Sequence, residues 1–368
     1  MTAVVFMNVS RRSAAAEILS YPVLSYMIDA CADVSNAVYC DAGLNGIDSR
    51  ASTFESLSSL CEEIKAYSKV LIIFAPAPNL SADTVKSFAE GECNTYLGRG
   101  KMRAAALVAP KDLDADIAER DYPVASIPDG EWLFAETPET VYAVQEQLRR
   151  RINMKHMKNG VYMVDPNSTH ISPFAEIGEG TVILPGCLIY GKSKIGMDCT
   201  VGPNSMLKNA TVGNGSKINA SQISDSVIGN NTTVGPFAYI RPDCKVGNDV
   251  RIGDFVELKN SNIGNGTKVS HLTYIGDSDF GDKINVGCGV VTVNYDGKSK
   301  YRTTVGDNSF VGCNVNLVAP VEIEKGAYIA AGSTITENVP QNSLAIARER
   351  QSIKADWAEK RRKDGKLK

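Results

Sequence analysis

The stretch ISPFAEIGEGTVILPGCLIYGKSKIGMDCTVGPNSML, residues 171–207, repeats every six residues. Its aliphatic anchors are Ile171, Ile177, Ile183, Ile189, Ile195, Val201 and Leu207. After a phase reset the series resumes at Ile228, Val234, Ile240, Val246, Ile252 and Leu258. Ile263, Val269 and Ile275 follow, then Phe280, Val286 and Thr292. After an interruption come Val305, Val311, Leu317, Ile323, Ile329 and Ile335. Neither a helical period nor a two-residue strand alternation produces this spacing. A fixed hexapeptide period is the signature of a parallel β-helix solenoid.

Each hexad supplies one short strand and one corner, and three hexads close a coil. Every anchor then points inward and stacks on the anchor one coil later, at the ~4.8 Å spacing of paired strands. The residue two before the anchor sits inside a corner and must be small. Ala175, Thr181, Cys187, Cys199, Ser216, Thr232, Ala238 and Cys244 obey that rule. The repeat predicts about nine coils and a rod on the order of 40 Å.

Length and composition set the remaining bounds. A chain of 368 residues has room for a second domain or extensions. Its net charge of −3 gives no general pull toward nucleic acid or membrane. Ala3–Met7 is too short for a signal peptide, and no apolar run approaches ~18 residues, so a cytoplasmic protein is expected. The nine cysteines form no C-x-x-C pair and read as small apolar residues in a reducing compartment.

Residues 1–136 read as a small α/β domain. Strands are expected at Ala3–Met7, Lys69–Ala75 and Ala104–Ala109, with helices over Pro22–Cys31 and from Ser81. No Gly-rich phosphate loop of either common type is present. Residues 137–158 form a linker helix, capped near Thr137 and stopped by Asn159-Gly160. Its Arg149-Arg150-Arg151 run is expected to be a solvated face. The solenoid domain spans 159–339. A C-terminal arm and basic tail occupy 340–368, where Trp357 could dock a short helix.

Chemistry on a solenoid is sought among residues that share a column. His271, Cys288, Cys313 and Ala331 each lie two residues after an anchor, on successive coils. A potential base followed by small residues leaves a groove for an extended ligand. Arg241 and Lys259 each follow an anchor one coil apart, which suggests an anion site, and Tyr274 precedes the next anchor of that column. The period breaks between Thr292 and Val305, where Asn294–Lys300 forms a loop beside the groove.

The runs His271-Leu272-Thr273-Tyr274-Ile275-Gly276-Asp277, Asn294-Tyr295-Asp296-Gly297 and Leu317-Val318-Ala319-Pro320 make the resemblance specific. The stretch from 137 to 350 resembles the acetyltransferase part of the bacterial bifunctional N-acetylglucosamine-1-phosphate uridylyltransferase/glucosamine-1-phosphate N-acetyltransferase family. That resemblance implies a left-handed coil and a homotrimer. It also implies acetyl-CoA as cosubstrate, glucosamine 1-phosphate as acceptor and no metal for acetyl transfer. It casts His271 as general base, and Arg241, Lys259, Tyr274, Asn285 and Lys300 as sugar-phosphate contacts. Cys288, Asn294, Tyr295, Cys313, Ala331 and Arg348 fall at acetyl-CoA positions. Two readings stay open beside it, a different amino-sugar acceptor and a non-catalytic scaffold with a partner-binding relic domain.

The chain departs from the family in places. Cys313 stands where the family usually has Ser, and Cys288 where it usually has Ala. The N-terminal half departs further. Met7-Asn8-Val9-Ser10-Arg11-Arg12 replaces a glycine-rich nucleotide loop, and Pro76 stands where the family has a magnesium-holding Asp. A loop without glycine cannot bring its backbone close to a triphosphate. The domain is therefore expected to be a truncated, degenerate nucleotidyltransferase-like fold.

Overall fold

The structure, a computed structural model, describes residues 1–368. The chain divides into two compact units, Met1–Asn209 and Ala210–Lys368. In both units the hexads fold as three-sided parallel β-helix.

The first unit begins with a seven-stranded sheet. Its order is Ser52–Phe54, Val38–Asp41, Thr2–Phe6, Lys69–Ile73, Met102–Val108, Thr95–Arg99, Val124–Ser126. The first four strands are parallel, and Met102–Val108 runs antiparallel to both its neighbours. The expected strands near residues 3, 69 and 104 are the three central ones. Each is a continuous apolar run because both its faces are covered. The outer strands interrupt their apolar residues with polar ones or glycine, or have only three residues, and show no such run. Helices Val23–Ala30, Leu57–Ile64 and Ala82–Glu90 flank the sheet. Val5, Val70, Ile72, Tyr96 and Ala106 share one buried cluster with Leu60 and Ile64.

Helix Pro138–Lys158 is capped by the Thr137 hydroxyl, which accepts from the Thr140 amide at 3.3 Å. The reciprocal partner in that cap is Thr140. The arginine run is not one solvated face. Arg149 is only 2% exposed, paired with Glu146 at 2.6 Å and donating to the Pro166 carbonyl. It clamps the helix onto the first solenoid turn, and Asn153 adds a bond to the Thr169 carbonyl at 3.0 Å. Arg150 and Arg151 are exposed, although Arg151 also donates to the Asn79 carbonyl at 3.2 Å.

The small corner residues from Ala175 to Cys244 are all buried, as are the anchors except Ile177. Ile177 is half-buried on the first strand of its sheet, whereas Ile171, also on a first strand, is buried beside helix Pro138–Lys158. Each buried aliphatic anchor contributes about 1.5–3 kcal/mol relative to exposure. The apparent phase reset conceals three more buried anchors, Val212, Ile218 and Ile223. They were missed because several corners there are one residue shorter than a hexad.

In the second unit, one edge is stitched by side chains. The amides of Asn214, Asn230 and Asn248 donate to Oδ1 of Asn230, Asn248 and Asn265, each at 2.8 Å. The Asn265 amide continues to Asp282 at 2.6 Å, and that of Asp282 to Asp307 at 2.8 Å. All six residues lie two places after an anchor, where the chain turns and its amides would otherwise lack partners. The helix Trp357–Lys363 closes the chain, with the Arg361 guanidinium 5.2 Å from the Trp357 ring centroid.

Candidate active site

The site lies in the second unit. Strands Arg251–Asp254, Lys268–His271, Asn285–Val286, Phe310–Val311 and Tyr328–Ile329 pair in parallel in that order. Their register aligns Ile252, Val269, Val286, Val311 and Ile329. His271, Cys288, Cys313 and Ala331 therefore occupy one column, as the spacing requires. The column also contains Asp254, in register with His271.

Asp254 was missed, although it obeys the same rule of two residues past an anchor. Its Oδ1 lies 2.6 Å from Nδ1 of His271, and both side chains reach solvent. The His271 bond, with help from backbone amide, holds the Asp254 carboxyl below the usual carboxylate range. A carboxylate can only accept, so Nδ1 carries the proton and the Nε2 lone pair is left free.

On the adjoining face, Tyr239–Ile240, Glu257–Lys259 and Tyr274–Gly276 pair in register. Beside them opens a cavity of about 600 Å³ lined by Arg241, Lys259, Lys300 and Arg302, with Asp243, Asn260 and Asp277. Arg241 is held by Glu257 at 2.9 Å, and Arg302 by both oxygens of Asp279 at 2.8 Å. Lys259 and Lys300 face each other over Asp277. The adjacent Lys300 amine, together with burial, holds the Lys259 ammonium below the usual lysine range. An anion would relieve that like-charge contact, which makes the cavity suited to a phosphate.

Asp277 is the second residue the sequence reading passed over as a site member. It is buried, and burial opposes its ionisation. Donation from Asn260 at 2.6 Å and from Asn294 outweighs this, with Lys259 and Lys300 adding charge, and the carboxyl lies below its usual range. Asn294 is thereby fixed at the root of the loop, which doubles back as a hairpin. Tyr295 bridges Lys300, Asp296 accepts from the Lys298 and Ser299 amides at 2.7 Å, and the Tyr301 amide returns to the Asn294 carbonyl at 2.9 Å.

The structure thus brings Arg241, Lys259 and Lys300 into one cavity. Tyr274 stands in register with Glu257 but does not line that cavity. Asn285 is exposed on the His271 sheet, away from the cavity lining. Cys288, Cys313 and Ala331 follow His271 along its edge. Arg348 joins them by donating from Nε to the Ala331 carbonyl at 2.9 Å.

The model of the family described as bacterial transferase hexapeptide (six repeats) matches residues 174–209, 225–260 and 302–337. Among curated proteins, the bifunctional protein GlmU of Clostridioides difficile is 55% identical over 217 residues, 59% of this chain and 47% of that protein. The bifunctional protein GlmU of Caldanaerobacter subterraneus subsp. tengcongensis is 58% identical over 223 residues, 61% of this chain and 49% of that protein. Over that length the chain is more than half identical to these GlmU proteins. It spans about half the length of the GlmU relatives it matches. A solved UDP-N-acetylglucosamine acyltransferase from Campylobacter jejuni is 17% identical over 49% of this chain and 70% of its own, with a TM-score of 0.26. The GlmU match does not draw on that slight likeness. No helix is long and apolar enough to cross a membrane.

Proposed function

We propose that the protein transfers the acetyl group of acetyl-CoA to the amine of glucosamine 1-phosphate, supplying N-acetylglucosamine 1-phosphate for UDP-N-acetylglucosamine synthesis. The observation that carries this reading is the Asp254–His271 pair on an open edge, with a cation-lined cavity on the adjoining face. Arg241, Lys259 and Lys300 would hold the sugar phosphate, with Tyr274 and Asn285 bordering the sugar. Nε2 of His271 would take a proton from the amine as its nitrogen attacks the acetyl carbonyl carbon. The new C–N bond forms, the C–S bond breaks, and the CoA sulfur leaves. The edge beyond His271 carries only the small side chains of Cys288, Cys313 and Ala331, which suits an extended acyl thioester. Asn294 and Tyr295 flank that path, and Arg348 offers a guanidinium for a CoA phosphate.

We infer further that uridylyl transfer is absent and that the protein is a homotrimer. The first reading is supported by the segment after Thr2–Phe6, which carries no glycine and runs into a short helix, Arg11–Ala15, whose Arg11 donates to the Gly43 and Asn45 carbonyls at 2.8 and 2.9 Å. Pro76 is buried, its carbonyl accepting from the Ala135 amide at 2.7 Å. Self-association is supported by Phe237 and Phe255, 60% and 58% exposed and stacked with centroids 5.5 Å apart. Both adopt left-handed backbone, which directs a large apolar side chain into solvent.

The test of acetyl transfer is thiol release from acetyl-CoA by the purified protein. Release that requires glucosamine 1-phosphate is expected. Release only with another amino sugar would reassign the acceptor, and none with any would remove the reading. Light scattering should give the trimer mass at micromolar concentration. A monomer mass alongside full activity would overturn the assembly.

A further inference from the structure

Cys288 and Cys313 are at equivalent positions of adjacent coils, two residues past the paired anchors Val286 and Val311. No other two of the nine cysteines stand in this relation. Five of the others are buried, and Cys61 and Cys93 lie in the first unit. Cys313 is exposed and Cys288 half-buried. The Asn314 amide donates to the Cys288 carbonyl at 2.8 Å, so the two backbones are directly joined at this point. They approach so closely that a Cβ on Gly287 would lie 2.6 Å from the Cys313 nitrogen. In-register parallel neighbours have Cα atoms about 4.8 Å apart with side chains leaving the same way. That separation falls within the ~4.4–6.8 Å that a disulfide spans. Gly287, Gly289 and Gly312 flank the pair on three sides, and Asn314 follows Cys313.

We propose that Cys288 and Cys313 form an oxidisable dithiol whose reaction partner is a low-molecular-weight disulfide. The Cys313 thiolate, as the more exposed, attacks one sulfur of that disulfide and displaces one thiolate. Cys288, deprotonated in turn, attacks the Cys313 sulfur of the mixed disulfide and displaces the second. Two protein thiols are oxidised, one small disulfide is reduced to two thiols, and the two protons pass to the departing thiolates. Exposed bonds of this kind are the readily reduced ones, so the reaction is reversible. The closed bridge ties two rungs of the edge on which the acyl thioester is placed. Acetyl transfer should therefore stop in the oxidised protein; this consequence rests on the function proposed above, while the bridge itself does not.

The experiment treats the 368-residue protein with glutathione disulfide, alkylates the remaining thiols after denaturation, and maps peptides by mass spectrometry. A linked peptide pair bearing Cys288 and Cys313, two hydrogens lighter than its parts and released by dithiothreitol, is expected. Accumulation of a glutathione adduct on Cys313 with Cys288 still alkylated, or both thiols still free, would overturn the dithiol. In a preparation active when reduced, oxidation should lower acetyl transfer at least ten-fold, with recovery on reduction. The Cys288→Ala/Cys313→Ser double variant should show the same rate before and after treatment. A linked pair with unchanged activity would overturn the control of transfer alone. A preparation inactive even when reduced would count against the acetyl-transfer reading and leave the mapping result standing.

Discussion

Nδ1 of His271 meets Oδ1 of Asp254 at 2.6 Å, across two neighbouring coils in register. The bond fixes the ring and its tautomer. His271→Ala should lower kcat by ~10²–10⁴-fold, the worth of a positioned base, and leave the fold intact because the ring faces outward. Asp254→Asn should lower kcat less, about ten-fold, with the sugar KM nearly unchanged. Because His271 is the main reason the Asp254 carboxyl lies low, its titration should rise toward the ordinary range in His271→Ala. Carbon NMR of the Asp254 carboxyl checks this. An unmoved titration would show that the pair is not formed in solution.

The buried Asp277 gives a prediction for acid. Its folded-state pKa is lowered, so it favours the folded state above the unfolded value, near ~3.9, and that contribution is lost as pH falls through the folded value. Asp277→Asn should melt lower than wild type at neutral pH, and the two should converge as pH falls through the folded-state value. Parallel melting curves from neutral to acid would rule out a stabilising carboxylate at this position.

Gly253 tests how tightly the coils nest. A Cβ there would lie 1.8 Å from the Ser270 carbonyl oxygen and 2.6 Å from its carbon. Backbone on a paired strand has little room to yield, so Gly253→Ala should cost about 1–3 kcal/mol, read as a lowered Tm. The residue precedes Asp254, so activity should fall with stability. A variant as stable as wild type would contradict the packing of these two strands.

The proposed absence of uridylyl transfer rests on independent features, a stretch without glycine between Ala3 and Leu19 and a buried proline at position 76. With UTP, N-acetylglucosamine 1-phosphate and Mg²⁺, the protein should release no pyrophosphate above a control lacking it. Release that follows the protein through purification would restore a nucleotidyltransferase site to the first domain.

Sequence alone revealed the solenoid because burial there is written in period. Ile183, Ile189 and Val311 are each fully enclosed, and each sits where counting by six puts it. Counting failed at Val212, Ile218 and Ile223, where corners shorten. The column that contains His271 was legible for the same reason, but Asp254 lies one coil before the residue that attracted attention. Asp277 and Arg149 were harder. Their roles come from partners 17 residues away, Asn260 and Asn294 for the one and the Pro166 carbonyl for the other. Charge in a motif does not reveal whether its partner is water or protein. The edge strands Ser52–Phe54 and Val124–Ser126, of three residues each, are too short to carry a period at all.

The stitched edge has a bearing on how such a chain can change over generations. Consecutive rungs from Asn214 to Asp282 are 16, 18, 17 and 17 residues apart, but the rung from Asp282 to Asp307 spans 25 with its bond intact at 2.8 Å. The additional residues are accommodated by the hairpin from Asn294 to Tyr301, which leaves the stack and rejoins it without disturbing the edge. That segment behaves as a cassette. Replacing it can alter Tyr295 and Lys300, and with them which ligands are favoured, while the coils on either side keep their register. A residue added inside one of the short strands would instead move that strand's anchor off the inner face, whereas the corners absorb differences of one residue. Mutation therefore has a tolerated address in this unit, and it is the same address where new specificity can be built.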